Sequence, residues 1–248
     1  MRKVLRVGFA TLWWTTFALV CLLMFVGATL CFVLTVPFDR RRLIQHLYSC
    51  LWGQLMFYLN PFWRLKIEGR GKLPWQGPAV LVSNHESLGD ILVLFGLYRP
   101  FKWVSKAAVF RTPLLGWNMH YNDYVPLVRG NKDSIIDMHR RCMSWLERGV
   151  PILMFPEGTR SPDAEVKAFK DGAFRLAIEA GCPLYPIVLT GTADTLPKHG
   201  LLVKLRARCW VRVLDPIDPA QFQGDVAAFR DHTRALIIAE KQRMLEAA

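Results

Sequence analysis

The sequence predicts an α/β fold: a mixed sheet flanked by helices, preceded by a membrane-embedded helical segment that reads as a two-helix motif. Three observations carry this expectation. An uncharged apolar stretch runs from Val7 to Phe38, short apolar runs alternate with helix-periodic segments further on, and strict alternation appears from Val203 to Val213. The 248 residues suit one α/β domain with an appendage, and 52% of them are hydrophobic. That share is above the usual range, and the excess is concentrated at the N-terminus. Two regions are therefore expected, a helical membrane anchor over 1–64 and an α/β domain over 65–248.

A bilayer core is crossed by about 20 apolar residues, and Val7–Phe38 exceeds that. Apolar residues continue past Gly27 and Ala28, the small residues at which a cleaved signal could end, so retention in the membrane is expected. Leu43 to Trp63 is aromatic-rich, with Gln45, His46, Gln54 and Asn60 as polar interruptions. It fits an interfacial helix or the return arm of a hairpin. Arg2, Lys3 and Arg6 precede the first segment, and Arg40, Arg41 and Arg42 follow it. Basic clusters at both ends suit a segment that dips into one leaflet and returns, although a single crossing stays open.

In the remaining chain, strands are expected at Val80–Val82, Lys102–Val104, Tyr124–Val128, Pro151–Phe155 and Leu184–Thr190. Ile91–Leu97 can carry a helix. Lys132–Arg148 has helical spacing and ends at Gly149, and Ala168–Ala180 ends at Gly181. Asp225–Glu246 reads as a C-terminal helix. In the alternating stretch, Val203, Leu205, Ala207, Cys209, Val211 and Val213 are expected inward. Lys204, Arg206, Arg208 and Arg212 then form a basic stripe, which either meets an anionic partner or shields an edge strand from pairing.

Net charge is +12. Such a balance suits nucleic acid, anionic lipid or an acidic protein. The chain has no zinc spacing, RNP-like aromatic string or recognition-helix pattern, so anionic headgroups are expected and nucleic acid is not. The six cysteines, at 21, 31, 50, 142, 182 and 209, form no C-x-x-C pair and join no histidine at ligand spacing. A reducing compartment is expected, with no structural disulfide and no metal.

Two motifs carry chemistry. In Asn84-His85-Glu86-Ser87-Leu88-Gly89-Asp90, an imidazole and a carboxylate lie five residues apart where a strand hands over to a helix. A neutral imidazole takes a proton near pH 7, and a carboxylate can hold its tautomer. In a regular helix these positions point about 140° apart, so contact requires a turn, which Gly89 would permit. Alone, this spacing is one that chance supplies. The second motif, Phe155-Pro156-Glu157-Gly158-Thr159-Arg160-Ser161, offers backbone N–H groups and a guanidinium after a strand, a possible phosphate cradle.

In this order and spacing, the two blocks closely resemble those of the glycerolipid acyltransferases, and within them the 1-acyl-sn-glycerol-3-phosphate acyltransferases. The resemblance runs from about Leu73 to Gly191. Lys106, Pro113 and Gly116 fall where that family has its Lys, Pro and Gly, and Arg129 matches the Arg that closes its second block. That block is a loose match, since Pro126 stands at an apolar position. Phe169-Lys170-Asp171-Gly172-Ala173 and Leu184-Tyr185-Pro186-Ile187 fit later blocks.

The resemblance implies transfer of a fatty acyl group from acyl-CoA or acyl-carrier protein to the free sn-2 hydroxyl of 1-acyl-glycerol 3-phosphate, making phosphatidic acid, and no cofactor is expected. His85 is then the general base and Asp90 its orienting partner, with no acyl-enzyme. Arg129, Arg160 and Lys106 are expected to hold the acceptor's phosphate. Gly158 and Thr159 let the backbone approach it, and Glu157 orders the loop by pairing with a neighbouring cation. The expected location is a membrane, the bacterial inner membrane, with the catalytic domain on its cytoplasmic face. Other acceptors (lyso-ornithine lipid, another lysophospholipid, glycerol 3-phosphate) keep the same reaction. A thioesterase and a non-enzymatic adaptor are the competing classes. A serine lipase is disfavoured because no Gly-x-Ser-x-Gly elbow is present.

Overall fold

The computed structural model describes residues 2–161, 165–196 and 203–247, with side chains from residue 8. Helix α1 spans Arg2–Thr35 and helix α2 Leu43–Tyr58. They run antiparallel: Cys21 Sγ lies 3.8 Å from Met56 Sδ, and the Tyr48 hydroxyl donates to Met24 O at 3.1 Å. A Cβ on Gly27 would strike the Tyr48 hydroxyl, so glycine permits this close approach. In the connecting turn, both Asp39 carboxylate oxygens accept from α2, from Leu43 N and Ile44 N at 2.8 Å. They satisfy N–H groups that have no partner within the helix.

One face of α1 packs against the protein. The other exposes Leu12, Leu19, Leu23, Val26, Leu30, Val33 and Leu34, each more than half accessible. Their three-, four- and seven-residue spacing makes one continuous apolar stripe. Among the described residues, one stretch, Gly8–Thr35, is long and apolar enough to cross a membrane.

The sheet has seven strands: β1 (Trp63–Glu68), β2 (Val80–Ser83), β3 (Lys102–Lys106), β4 (Val125–Leu127), β5 (Ile152–Met154), β6 (Leu184–Thr190) and β7 (Ala207–Val213). Their spatial order is β1-β7-β6-β2-β5-β3-β4. Strands β6, β2, β5, β3 and β4 are parallel, whereas β7 runs against β6 and carries β1 parallel to itself. Successive side chains alternate between the two faces. Val80 and Val82 enter one core with α5 (Lys132–Glu147), α6 (Gly172–Ala180) and α7 (Val226–Glu246). Leu81 enters the other with α1, α2 and α3 (Gly89–Phe95). Burial on both faces explains why these strands read as unbroken apolar runs.

Four expectations need correction. Strand β1 was unforeseen because Arg64, Lys66 and Glu68 punctuate it; its outward positions carry charge while Trp63 is fully buried. Strand β7 starts at Ala207, and Leu205, expected inward, is 48% exposed before the strand begins. The edge-strand reading of the basic stripe also fails, since β7 lies between β1 and β6. Arg212 moreover leaves the stripe to pair with Glu68 at 2.6 Å and with Glu240 of α7. Finally, α6 begins at Gly172 rather than Ala168. Phe169 is buried, and Lys170 N donates to Pro156 O at 2.9 Å, which ties this approach to the loop after β5.

Helix α2 is locked to the sheet by His46, which is 1% exposed. Its Nε2 lies 2.9 Å from Arg99 O, and its Nδ1 lies 2.8 Å from the Tyr124 hydroxyl. A carbonyl only accepts, so Nε2–H donates to Arg99 O, and in the neutral ring that burial favours, Nδ1 accepts from the Tyr124 hydroxyl. Burial pushes its pKa down to about 3, reinforced by the Lys102 ammonium. The unfolded chain then binds a proton near pH 6.5 that the folded chain refuses, so this group's contribution is lost as pH falls from 6.5 towards 3. We expect unfolding free energy to drop there by up to about 1.4 kcal/mol per pH unit from this group. Denaturant titrations of wild type and His46→Gln between pH 6.5 and 4.5 should diverge by that slope; parallel curves would contradict it.

Candidate active site

The parallel strands β6, β2, β5, β3 and β4 bring their C-terminal ends to one edge of the sheet, the usual place for ligands in such folds. Each is followed by chemistry-bearing residues. Thr192 comes after β6, His85 after β2, and the 156–161 loop after β5; Lys106 ends β3 and Arg129 follows β4.

His85 Nδ1 lies 2.6 Å from Asp90 Oδ2. Asp90 stands in the first turn of α3 and is fully buried. Its carboxylate also accepts from Glu86 N at 2.7 Å, Ser87 N at 3.1 Å and the Thr192 hydroxyl. The carboxylate thus bends the preceding backbone around itself and brings a residue five positions back into contact. Because it accepts, Nδ1 carries a proton, and in the neutral ring Nε2 is then the nitrogen with the free lone pair. The ring stacks on Phe155, centroids 4.0 Å apart and planes 12° from parallel, so its orientation is fixed from below as well. Gly89 serves here in a way the sequence did not suggest. It has no positive φ; a Cβ would strike the Thr195 hydroxyl.

The two sequence motifs are physically clipped together. His85 N donates to Glu157 Oε1 at 2.8 Å, and Ser161 N donates to His85 O at 2.8 Å. Glu157 Oε2 accepts from Lys167 N at 3.1 Å. The expected pairing of Glu157 with a cation is therefore replaced by bonds to two main-chain N–H groups. A buried carboxylate can be satisfied this way without a counter-charge. Burial raises its pKa, and the two N–H bonds oppose that rise. Gly158 has φ 71, a left-handed turn that lets the chain double back. Thr159 is exposed and Arg160 half-buried, with its carbonyl accepting from Lys167 Nζ at 3.0 Å.

Lys106 and Arg129 are exposed. Their strands lie two and three places from β2, about 10 and 14 Å along the sheet at ordinary strand spacing. Arg160, on the loop after β5, is the cation whose strand neighbours that of His85.

Sequence reading missed Thr192 and Lys241. Thr192 Oγ1 lies 3.2 Å from Glu86 Oε2, so its hydroxyl joins Glu86 and Asp90. Glu86 forms an ion pair with Lys241 of α7 at 2.7 Å, both nearly buried. Burial raises the Glu86 pKa and the Lys241 ammonium opposes it. No local pattern joins residues so far apart in the chain. Asn84 completes the frame: its side chain donates to Leu189 O at 3.0 Å and accepts from Leu189 N at 2.8 Å, pinning the end of β2 to β6.

The His85–Asp90 contact thus lies at the C-terminal edge of the parallel strands, the edge that also carries Arg160, Lys106 and Arg129. A family model described as "Acyltransferase" matches residues 64–190. The chain belongs to the acyltransferase family. It is 39% identical over 186 residues to the 1-acyl-sn-glycerol-3-phosphate acyltransferase LPAT1, chloroplastic, of Arabidopsis thaliana, covering 71% of this chain and 52% of that protein. To the corresponding acyltransferase of Chlamydomonas reinhardtii it is 40% identical over 181 residues, covering 72% and 54%. The chain thus spans about half the length of these relatives. Its fold matches the crystal structure of the 1-acyl-sn-glycerophosphate (LPA) acyltransferase, PlsC, of Thermotoga maritima, with TM-score 0.82, 24% identity and 98% of each chain covered. Because the relatives include chloroplastic proteins, they lend no support to the bacterial inner membrane expected from the sequence.

Loss of the Lys241 ammonium should leave the Glu86 carboxylate buried and unpaired, at a cost of about 3–5 kcal/mol. Lys241→Met is expected to lower the unfolding midpoint strongly, and Glu86→Gln in the same chain to recover most of the loss. Additive penalties in the double-mutant cycle would show that the two residues do not depend on each other.

Proposed function

We propose that this protein transfers a fatty acyl group from a thioester carrier, acyl-CoA or acyl-carrier protein, to the sn-2 hydroxyl of 1-acylglycerol 3-phosphate, giving phosphatidic acid. The observation that carries this reading is the His85–Asp90 contact of 2.6 Å, which engages Nδ1 and leaves Nε2 as the free nitrogen of a ring whose side chain is 13% exposed. An alcohol is a weak nucleophile, so Nε2 takes its proton as the oxygen attacks the thioester carbonyl carbon. Asp90 stabilises the imidazolium that forms, as in a hydrolase triad. The tetrahedral intermediate then collapses, the carbon–sulfur bond breaks, and the imidazolium returns its proton to the departing thiolate. The substrate hydroxyl is the nucleophile throughout, so no side chain is acylated.

Arg160, beside His85, holds the acceptor's phosphate with its planar fork, and Gly158 and Thr159 allow the loop backbone to approach. Lys106 and Arg129 extend the positive edge to where the longer anionic donor enters. Glu157 fixes the loop through His85 N. Residues 1–64 act as the anchor of the acyltransferase domain at 65–248. Helix α1 stays in contact with the domain from Trp13, against Trp63 of β1, to Phe32, against Tyr121. That is about 28 Å of helix. A helix bound along that length lies in one leaflet beside its domain, with the leucine-rich stripe towards lipid. Both acyl chains then reach the site without crossing water.

Arg160 favours a phosphate-bearing acceptor over lyso-ornithine lipid. We expect His85→Ala to lower kcat/KM at least about 100-fold in protein that is still folded at the assay temperature, while the unfolding midpoint falls with the lost bond to Asp90, worth about 1.5–3 kcal/mol. Arg160→Lys should raise KM for lysophosphatidic acid about tenfold, the loss of one charge-assisted bond. Purified protein assayed with matched acyl-CoA and acyl-carrier donors against a panel of lysolipids checks both. Donor consumption without acceptor would mean hydrolysis, and no turnover of lysophosphatidic acid would refute the acceptor.

A further inference from the structure

Four arginines converge at the edge of the sheet opposite His85. Arg40, Arg41 and Arg42, from the turn between α1 and α2, meet Arg148, which caps the C-terminus of α5. With Val36 they line a cleft of about 630 Å³. Its location is fixed by Lys102 at the start of β3, whose Nζ donates to Arg41 O at 3.0 Å and whose backbone N donates to Pro151 O at 2.8 Å. These are the N-terminal ends of strands whose C-terminal ends face the active site. The cleft and His85 are therefore separated by the length of the strands, about 13 Å or more.

The cluster has a charge without an answer. Asp39 is near, but both its oxygens are spent on the first N–H groups of α2. Asp123 pairs with Arg141 at 2.8 Å. Among the described residues no carboxylate forms an ion pair with any of the four arginines. Arg42 and Arg148 are held in place by other means: Arg42 lies over Phe32, Arg148 lies over Trp145, and Arg42 donates to Val36 O. Arg42 also has φ 55, a left-handed backbone that a non-glycine residue adopts only when its surroundings impose it. Preorganised guanidinium groups around a cavity are an anion-binding arrangement.

The end of α1 says which anion. Leu34 and Phe38 flank the cleft in sequence and are 62% and 67% exposed, at the end of the apolar stripe. If the stripe faces lipid, as proposed above, the cleft lies at headgroup depth. We propose that Arg40, Arg41, Arg42 and Arg148 form a second anion site that binds the phosphate headgroup of an anionic membrane phospholipid, separately from the substrate site. This makes membrane engagement depend on lipid charge. Because the proposed product is itself anionic, membranes enriched in it bind the protein more tightly.

Arg148 is the residue that separates a built site from a merely basic turn, because it comes from another element. Full-length protein should be titrated with phosphatidylcholine vesicles with and without about 20 mol% phosphatidylglycerol, and bound fractions measured by co-sedimentation. Arg148→Gln should weaken binding to the anionic vesicles about fivefold, and Arg41→Gln with Arg148→Gln about 25-fold. Arg175→Gln, which removes one charge from α6, should change little. Binding to neutral vesicles and turnover in neutral micelles should be unchanged in every variant, which also reports that the variants fold. If Arg148→Gln behaves like Arg175→Gln, the site is refuted. If inorganic phosphate at matched concentration abolishes the difference between the two vesicle types, the site belongs to free phosphate and the headgroup assignment falls. The binding readout needs no turnover, so it stands or fails independently of the proposed reaction.

Discussion

The Asp90 carboxylate is the interaction on which the site depends. A fully buried carboxylate carries a large desolvation cost, which is offset only when its lone pairs are filled. Here four donors fill them: the His85 imidazole, the Glu86 and Ser87 backbone N–H groups and the Thr192 hydroxyl. Two of these donors fold the backbone into a turn, and the third is the group that turn exists to orient. The same oxygens that set the His85 tautomer therefore also set its position. Removing the charge would release the turn and the proton together, which is why neither can be adjusted without the other.

From that carboxylate the order propagates outward through three distant parts of the chain. Thr192 links it to the end of β6 and to Glu86, and Glu86 links it to Lys241 on α7. His85 passes it through its own backbone to the loop after β5, by one bond from its N–H and one to its carbonyl. The phosphate-binding loop proposed here is thus indexed to the main chain of the proposed base, by the Glu157 carboxylate on one side and the Ser161 backbone on the other. The C-terminal helix joins this network through one buried ammonium.

What was legible in the sequence follows from the range of the forces involved. Strands buried on both faces announce themselves as apolar runs, and β6 falls at Leu184–Thr190 as expected because nothing outside the run is needed to define it. The His85–Asp90 contact was legible as a condition, that the chain must turn between them. It was not legible how: Gly89 is demanded by the nearness of Thr195, a residue more than a hundred positions away. Strand β1 escaped for the same reason. Its alternating charges look like a linker until β7 lies beside it and Arg212 reaches Glu68 and Glu240. The Glu157 partners were misjudged because local sequence offers cations, whereas the fold supplies two backbone N–H groups.

The two edges of the sheet carry different chemistry, and the connection between them is mechanical. At one edge His85 and its loop face outward from the strand ends. At the other, the buried Lys102 ammonium holds the α1–α2 turn by Arg41 O and the segment before β4 by Asn122 O, with its charge over the Trp145 ring. Two carbonyls and an aromatic face replace its hydration, so the site tolerates a cation without a contacting carboxylate. Burial nonetheless draws its pKa down to about 7, with Asp123 and Asp39 opposing. Trp145 thus contacts both the buried Lys102 ammonium and the exposed Arg148 guanidinium. An anion bound by Arg148 would relieve the repulsion between these two cations, favouring the charged form of Lys102 and tightening its hold on the helical hairpin. Engagement of lipid charge and attachment of the hairpin to the domain are, by that reasoning, coupled through the repulsion between these two cations.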